Sequence, residues 1–229
     1  MKSISSIFLF LIFVCSTSYA QLSSDQIFES FKQGERTNCS SIAFIKAALN
    51  IYGLDNLFTA EKTADSLYII TLKNHASFKL KNDELDKAKF SAGFVFIKTN
   101  DESRKIKDYA ILTYAVMAKY KQIIDRESTF EKALEDLEDG EVYTPTIYKY
   151  LGFEKGKQIE PLKRLSGSEN SGVVAWSSAH AVFVSEEYMD YYGNKKNIWG
   201  KYPGRFRIIN TEPLPKMVEK PDNADNADL

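Results

Sequence analysis

Four residues spread along the chain carry side chains that together could break an acyl bond: Gln33, Cys39, His180 and Asn197. Cys39 follows Asn38, a natural helix N-cap, and opens a helical pattern. A thiol there sits in the positive end of the helix dipole, which favours thiolate and makes the sulfur nucleophilic at neutral pH. Such a nucleophile needs an imidazole in reach and a third group to orient the ring. His180, between Ala179 and Ala181, begins an apolar β run and can project its ring from the strand end. His75, the second histidine, falls in a hairpin turn and reads as a solvated loop residue. Cys39 and His180 are about 141 positions apart, which suits two lobes contributing one residue each. Downstream, Asn197-Ile198-Trp199-Gly200 offers an amide carbonyl to fix the imidazole tautomer and an indole to shield that bond from water. Upstream, the Gln33 amide and the Cys39 backbone N–H would form an oxyanion hole.

Several elements must position these groups. Ile42, Ile45, Leu49 and Tyr52 recur at helical spacing after Cys39, and Gly53 stops the pattern. Residues 67–72 and 78–81, joined across 73–76, read as a β-hairpin, with 58–65 a polar connection before it. Helices are expected over 83–89, 109–124, 130–137 and 147–151, and a short strand over 93–97. The last third changes character: 173–176, 181–184 and 206–209 read as buried strands. A helical front half with a small hairpin thus precedes an antiparallel β back half, an α+β chain.

Residues 1–20 read as a secretory signal, with Lys2 ahead of an apolar run and Ser18-Tyr19-Ala20 at the cleavage site. The run is short for a membrane span and no second one follows, so the expectation is a secreted or periplasmic chain without a membrane anchor after cleavage. Residues 21–213 form the expected domain and 214–229 a polar, disordered tail. The full-length net charge of -1 becomes about -2 once Lys2 leaves, and no basic stripe with interleaved aromatics points to nucleic acid. With Cys15 lost in the leader, Cys39 has no partner for a disulfide, so a hydrophobic core must hold the fold. A secreted chain with one unpaired thiol must bury it, cross-link it or use it.

Gln33-Gly34 ahead of Asn38-Cys39, the helix continuing Ile42-Ala43 and Ala47-Ala48-Leu49, then His180-Ala181 and Asn197-Ile198-Trp199-Gly200, together resemble a papain-fold cysteine peptidase, closest to the calpain-type catalytic core. The resemblance runs in patches from about residue 30 to 210. It implies a papain-like two-lobed fold, with a helical N-terminal lobe carrying the nucleophile helix and an antiparallel β C-terminal lobe. It also implies a peptidase acting on protein or peptide substrates through a Cys39–His180–Asn197 triad with Gln33 at the oxyanion. No metal and no organic cofactor is expected, and the calcium sites of calpains do not map onto this chain residue by residue. Ser40 stands where the family usually has tryptophan, and Thr37 where glycine is common. The segment before Asn197 is a poor strand, so Asn210, after the better strand at 206–209, is a rival third residue.

A lone cysteine on a helix is more often buried and structural than catalytic. Gln33, His180 and Asn197 in order tip that balance toward catalysis. Two alternatives stand beside the peptidase: a transglutaminase-like or amidase acyl transfer on the same Cys–His pair, and a catalytically inactive papain-like binding module.

Overall fold

The computed structural model describes residues 22–63, 67–163, 170–198 and 202–210. The expected leader, the tail over 214–229, and Trp199 with Gly200 lie outside them. The chain is α+β, with five α-helices and antiparallel sheets among the described residues.

A reciprocal capping box between Ser23 and Gln26 starts α1 (Ser24–Ser30). Then come β1 (Phe31–Lys32), α2 (Cys39–Tyr52) and β2 (Thr59–Lys62). The expected hairpin is β3 (Leu67–Thr71) and β4 (Ser77–Lys81), turned at an exposed His75 with φ 65°. The supposed connection before it supplies β2, the third strand of that sheet. Next are α3 (Asn82–Ala92), β5 (Val95–Phe96), which pairs with β1, α4 (Asp101–Ile124) and α5 (Phe130–Glu138). The Asn100 side chain caps α4 through the Ser103 N–H, so that helix starts eight residues ahead of its apolar periodicity at Tyr109.

After a 3₁₀ segment, Thr144–Leu151, the β half contains β6 (Ile159–Pro161), β7 (Val173–Trp176), β8 (Ala181–Ser185), β9 (Tyr188–Tyr191), β10 (Asn194–Asn197) and β11 (Gly204–Ile208). They form one antiparallel sheet in the order β10-β9-β8-β7-β11-β6. Its two edges are β10, all four residues exposed, and the three-residue β6, which ends in Pro161.

α2 is the centre of the molecule. Its spacing predicts one apolar face, yet every residue from Ser40 to Asn50 is buried. The helix packs on β7 and β8 on one side, and on α4 and the 3₁₀ segment on the other. Ala43, Ala47 and Ala48 let both layers approach. Phe44, fully buried, meets Phe153 at 5.6 Å and Phe206 at 6.3 Å between ring centroids. Burying one such ring is worth about 1.5–3 kcal/mol, so this helix is anchored by packing on both faces.

Candidate active site

Cys39 is the first residue of α2 and is a free, partly buried thiol. Asn38 holds the N-cap position but does not cap: its Nδ2 donates to the Ala92 carbonyl at the end of α3, 2.8 Å away. The loop ahead of it is clipped to the end of α5. Thr37 N–H and Oγ1 both donate to the Glu138 carbonyl, at 3.1 and 2.8 Å, and the Arg36 guanidinium pairs with the Glu138 carboxylate. Ser40, the second residue of α2, shares a 2.5 Å hydrogen bond with Thr144 of the 3₁₀ segment. This hydroxyl pair ties the start of α2 to the 3₁₀ segment.

Gln33 is placed by the backbone of its neighbour. A Cβ on Gly34 would lie 2.4 Å from the Gly93 carbonyl oxygen, a contact only glycine permits. Gln33 donates one Nε2 hydrogen to the Arg36 carbonyl, which leaves its second N–H available.

Gln33, Cys39 and His180 line one cleft of about 650 Å³. The 139–145 segment forms one wall of it, and residues 176–181 with Tyr192 form another. Among the described residues lining it, Asp139 and Glu141 are the only Asp, Glu, Lys or Arg side chains. Trp176 is seated by β11: its indole covers Gly204, where a Cβ would fall 2.1 Å from the ring. A smaller adjoining cavity is also lined by Gln33, Cys39 and His180, and adds Asp190.

His180 immediately precedes β8, as its sequence position suggests. Its backbone N–H and carbonyl bond Ser177, closing the turn that leads into the strand. The imidazole Nε2 is buried and has no hydrogen-bond partner among the described residues. No hydrogen bond joins His180 to Cys39 there. Burial pushes the imidazole below its usual pKa, opposed by the negative charge of Asp190, so the neutral ring is favoured.

The structure does not bring Asn197 to His180. Asn197 pairs with Tyr188, which pairs with Ser185 at the far end of β8. That end lies four residue steps from Ala181, about 13 Å along the strand. Asn197 is exposed there, and its segment is an edge strand after all. Asn210 is no nearer: it follows β11, whose Gly204 end lies beside Trp176 and His180 while its other end runs past Val173. A short edge strand rich in lysine carries no pattern from which its register can be read, so spacing alone does not locate Asn197 on the sheet.

The carboxylate that shares the smaller cavity with His180 is Asp190, on β9. Asp190 is buried, its Oδ2 accepts from Lys46 Nζ at 2.6 Å, and its Oδ1 accepts from the Gly193 N–H at 2.7 Å. Lys46 is fully buried on α2, two turns beyond Cys39; burial pushes its ammonium below the usual lysine range, opposed by Asp190. Sequence reasoning passed over both. The available signal was a single lysine inside an apolar helix and a single carboxylate inside Tyr188-Met189-Asp190-Tyr191, each of which requires a partner when buried.

Among the described residues no group of three or more His, Cys, Asp or Glu side chains is arranged to hold a metal ion, and no helix is long and apolar enough to cross a membrane. Comparison with protein-family models, with curated proteins and with solved structures finds no match to this chain.

Proposed function

We propose that the chain is a cysteine hydrolase acting on peptide bonds, with Cys39 as nucleophile and His180 as base, in a papain-like arrangement of a helical lobe against a β lobe. The observation that carries this reading is the convergence of Cys39, His180 and Gln33, distant in sequence, on one open cleft. In that arrangement the neutral His180 ring takes the Cys39 proton as Sγ attacks the carbonyl carbon. The tetrahedral oxyanion accepts from the Cys39 N–H and from the second Nε2 hydrogen of Gln33. His180 then passes the proton to the leaving amine, and water attacks the thioester with His180 again as base. Asp190, rather than Asn197, is the polar group near enough to bias the ring through its charge. With Asp139 and Glu141 on its wall, the cleft favours substrate segments bearing Lys or Arg.

One observation favours a second reading, the inactive binding module: His180 Nε2 is buried without a partner and the thiol makes no bond to it. Incubation of the reduced protein with a peptide library separates the two. The hydrolase reading expects cleavage, enriched at basic residues and abolished in Cys39→Ala. A library left uncut, with peptides retained equally by wild type and Cys39→Ala, overturns it in favour of the module. Amine incorporation outpacing hydrolysis would instead assign acyl transfer to the same pair.

A further inference from the structure

A catalytic imidazole must be held in one orientation, and in most nucleophile–base pairs a hydrogen bond does this. His180 has no such bond at Nε2 among the described residues. What surrounds the ring instead is aromatic. Tyr192 stacks on it with centroids 4.4 Å apart and planes 12° from parallel. Tyr191 meets its edge at 5.9 Å and 88°, and the two tyrosines brace each other at 5.0 Å and 80°. Tyr192 also lines both cavities that Cys39 lines.

The stack is fastened from below. Tyr192 has a positive φ of 53°, which a bulky side chain adopts only where its surroundings impose it. Here the turn over residues 190–193 is closed by the Gly193 N–H bond to Asp190 Oδ1, and Asp190 is held by Lys46. Lys46 belongs to the helix that begins with Cys39. A continuous path therefore runs from the nucleophile helix through Lys46, Asp190 and the turn to the ring covering His180.

Resting on the nucleophile–base reading above, we infer that Tyr192 is the positioning residue for His180, its stacked ring serving where a hydrogen-bonding third residue would otherwise orient the imidazole. Its function is geometric: the face of the ring confines His180 to rotations in its own plane, and Tyr191 limits those.

The test is the iodoacetamide alkylation rate of Cys39, read on its own peptide by mass spectrometry so that Cys15 does not contribute, in the full-length protein, for wild type, His180→Ala, Tyr192→Gly and Tyr192→Phe. Glycine is at ease at positive φ, so Tyr192→Gly removes the ring without straining the turn. Should that variant lose its folded NMR spectrum, Tyr192→Asn, which also tolerates this backbone, takes its place. His180→Ala and Tyr192→Gly are each expected to slow alkylation about tenfold or more, and Tyr192→Phe to recover most of the rate because it keeps the stack. In proton NMR, with His75→Ala for assignment, the His180 ring signals should lose their upfield ring-current displacement in Tyr192→Gly and keep it in Tyr192→Phe. A Tyr192→Gly rate equal to wild type, with His180→Ala slowed, overturns the positioning role and leaves the nucleophile–base pair standing. A His180→Ala rate equal to wild type overturns the pair itself, and the inference with it.

Discussion

The two sides of the cleft are held by different kinds of force. On the nucleophile side the constraints are directional polar bonds: Thr37 and Arg36 to Glu138, Asn38 to Ala92, Ser40 to Thr144. On the base side they are ring faces, with His180 Nε2 left without a partner among the described residues. Hydrogen bonds fix distance and angle together, whereas a stack fixes a plane and leaves sliding and in-plane rotation cheap. The start of α2 is therefore held more rigidly than the His180 ring, and under the proposed hydrolase reading the nucleophile is set in advance while the base retains a degree of adjustment. The buried Lys46–Asp190 ion pair ties the helix of Cys39 to the strand and turn that carry Tyr192.

Breaking that tie should have the largest effect. Lys46→Met leaves Asp190 buried without its cation and is expected to cost roughly 3–5 kcal/mol in urea unfolding. Adding Asp190→Leu removes the stranded charge and should recover most of that loss. Failure of the double variant to recover would mean that the pair's geometry, not its charge balance, holds the two sides together. A smaller cost is expected within the nucleophile side. Asn38→Ala removes the Ala92 bond at a buried position and should cost about 1–3 kcal/mol, with slower Cys39 alkylation as the helix start loosens. A loss of stability with alkylation unchanged would show that Asn38 serves the fold alone.

The smallest effect concerns the base side and depends on pH. His180 has its folded-state pKa lowered by burial, with Asp190 opposing. The unfolded chain therefore binds the proton more readily, and the stability due to the neutral ring is present above about pH 6.5 and is lost as pH falls through the folded value. His180→Gln cannot be protonated. Its urea midpoint should gain on that of wild type as pH drops from about 7 to about 5. A midpoint that falls further behind wild type over that interval would mean that the surroundings favour the cation, and the neutral-base step would have to be abandoned.

Strong apolar periodicity made much of this fold legible. The start of α2 at Cys39, the β3–β4 hairpin, and the buried runs of β7 and β8 follow from side chains whose burial dictates one conformation. Elements with little to bury were not legible. β2, Thr-Ala-Glu-Lys, is a half-exposed strand that exists because β3 offers it a ladder. The first turns of α4 are charged and depend on the Asn100 cap and on docking elsewhere. In the site, Cys39, Gln33 and His180 could be read because each sits at an element boundary with a recognisable spacing. Asp190 and Tyr192 approach His180 by way of a β-turn whose register only the folded sheet defines, and no linear spacing to His180 reveals them.

The two outer strands of the large sheet decide what cannot bind there. β10 presents Lys195 and Lys196, the first tied to Asp25 at 2.5 Å and the second over the Tyr191 ring at 4.6 Å. β6 is three residues long and ends in Pro161, which has no N–H to offer. An extended peptide seeking to join as a seventh strand would have to displace ammonium groups on one margin and meet a missing donor on the other. Both margins resist templated growth, so copies of the chain are discouraged from stitching together through their sheets.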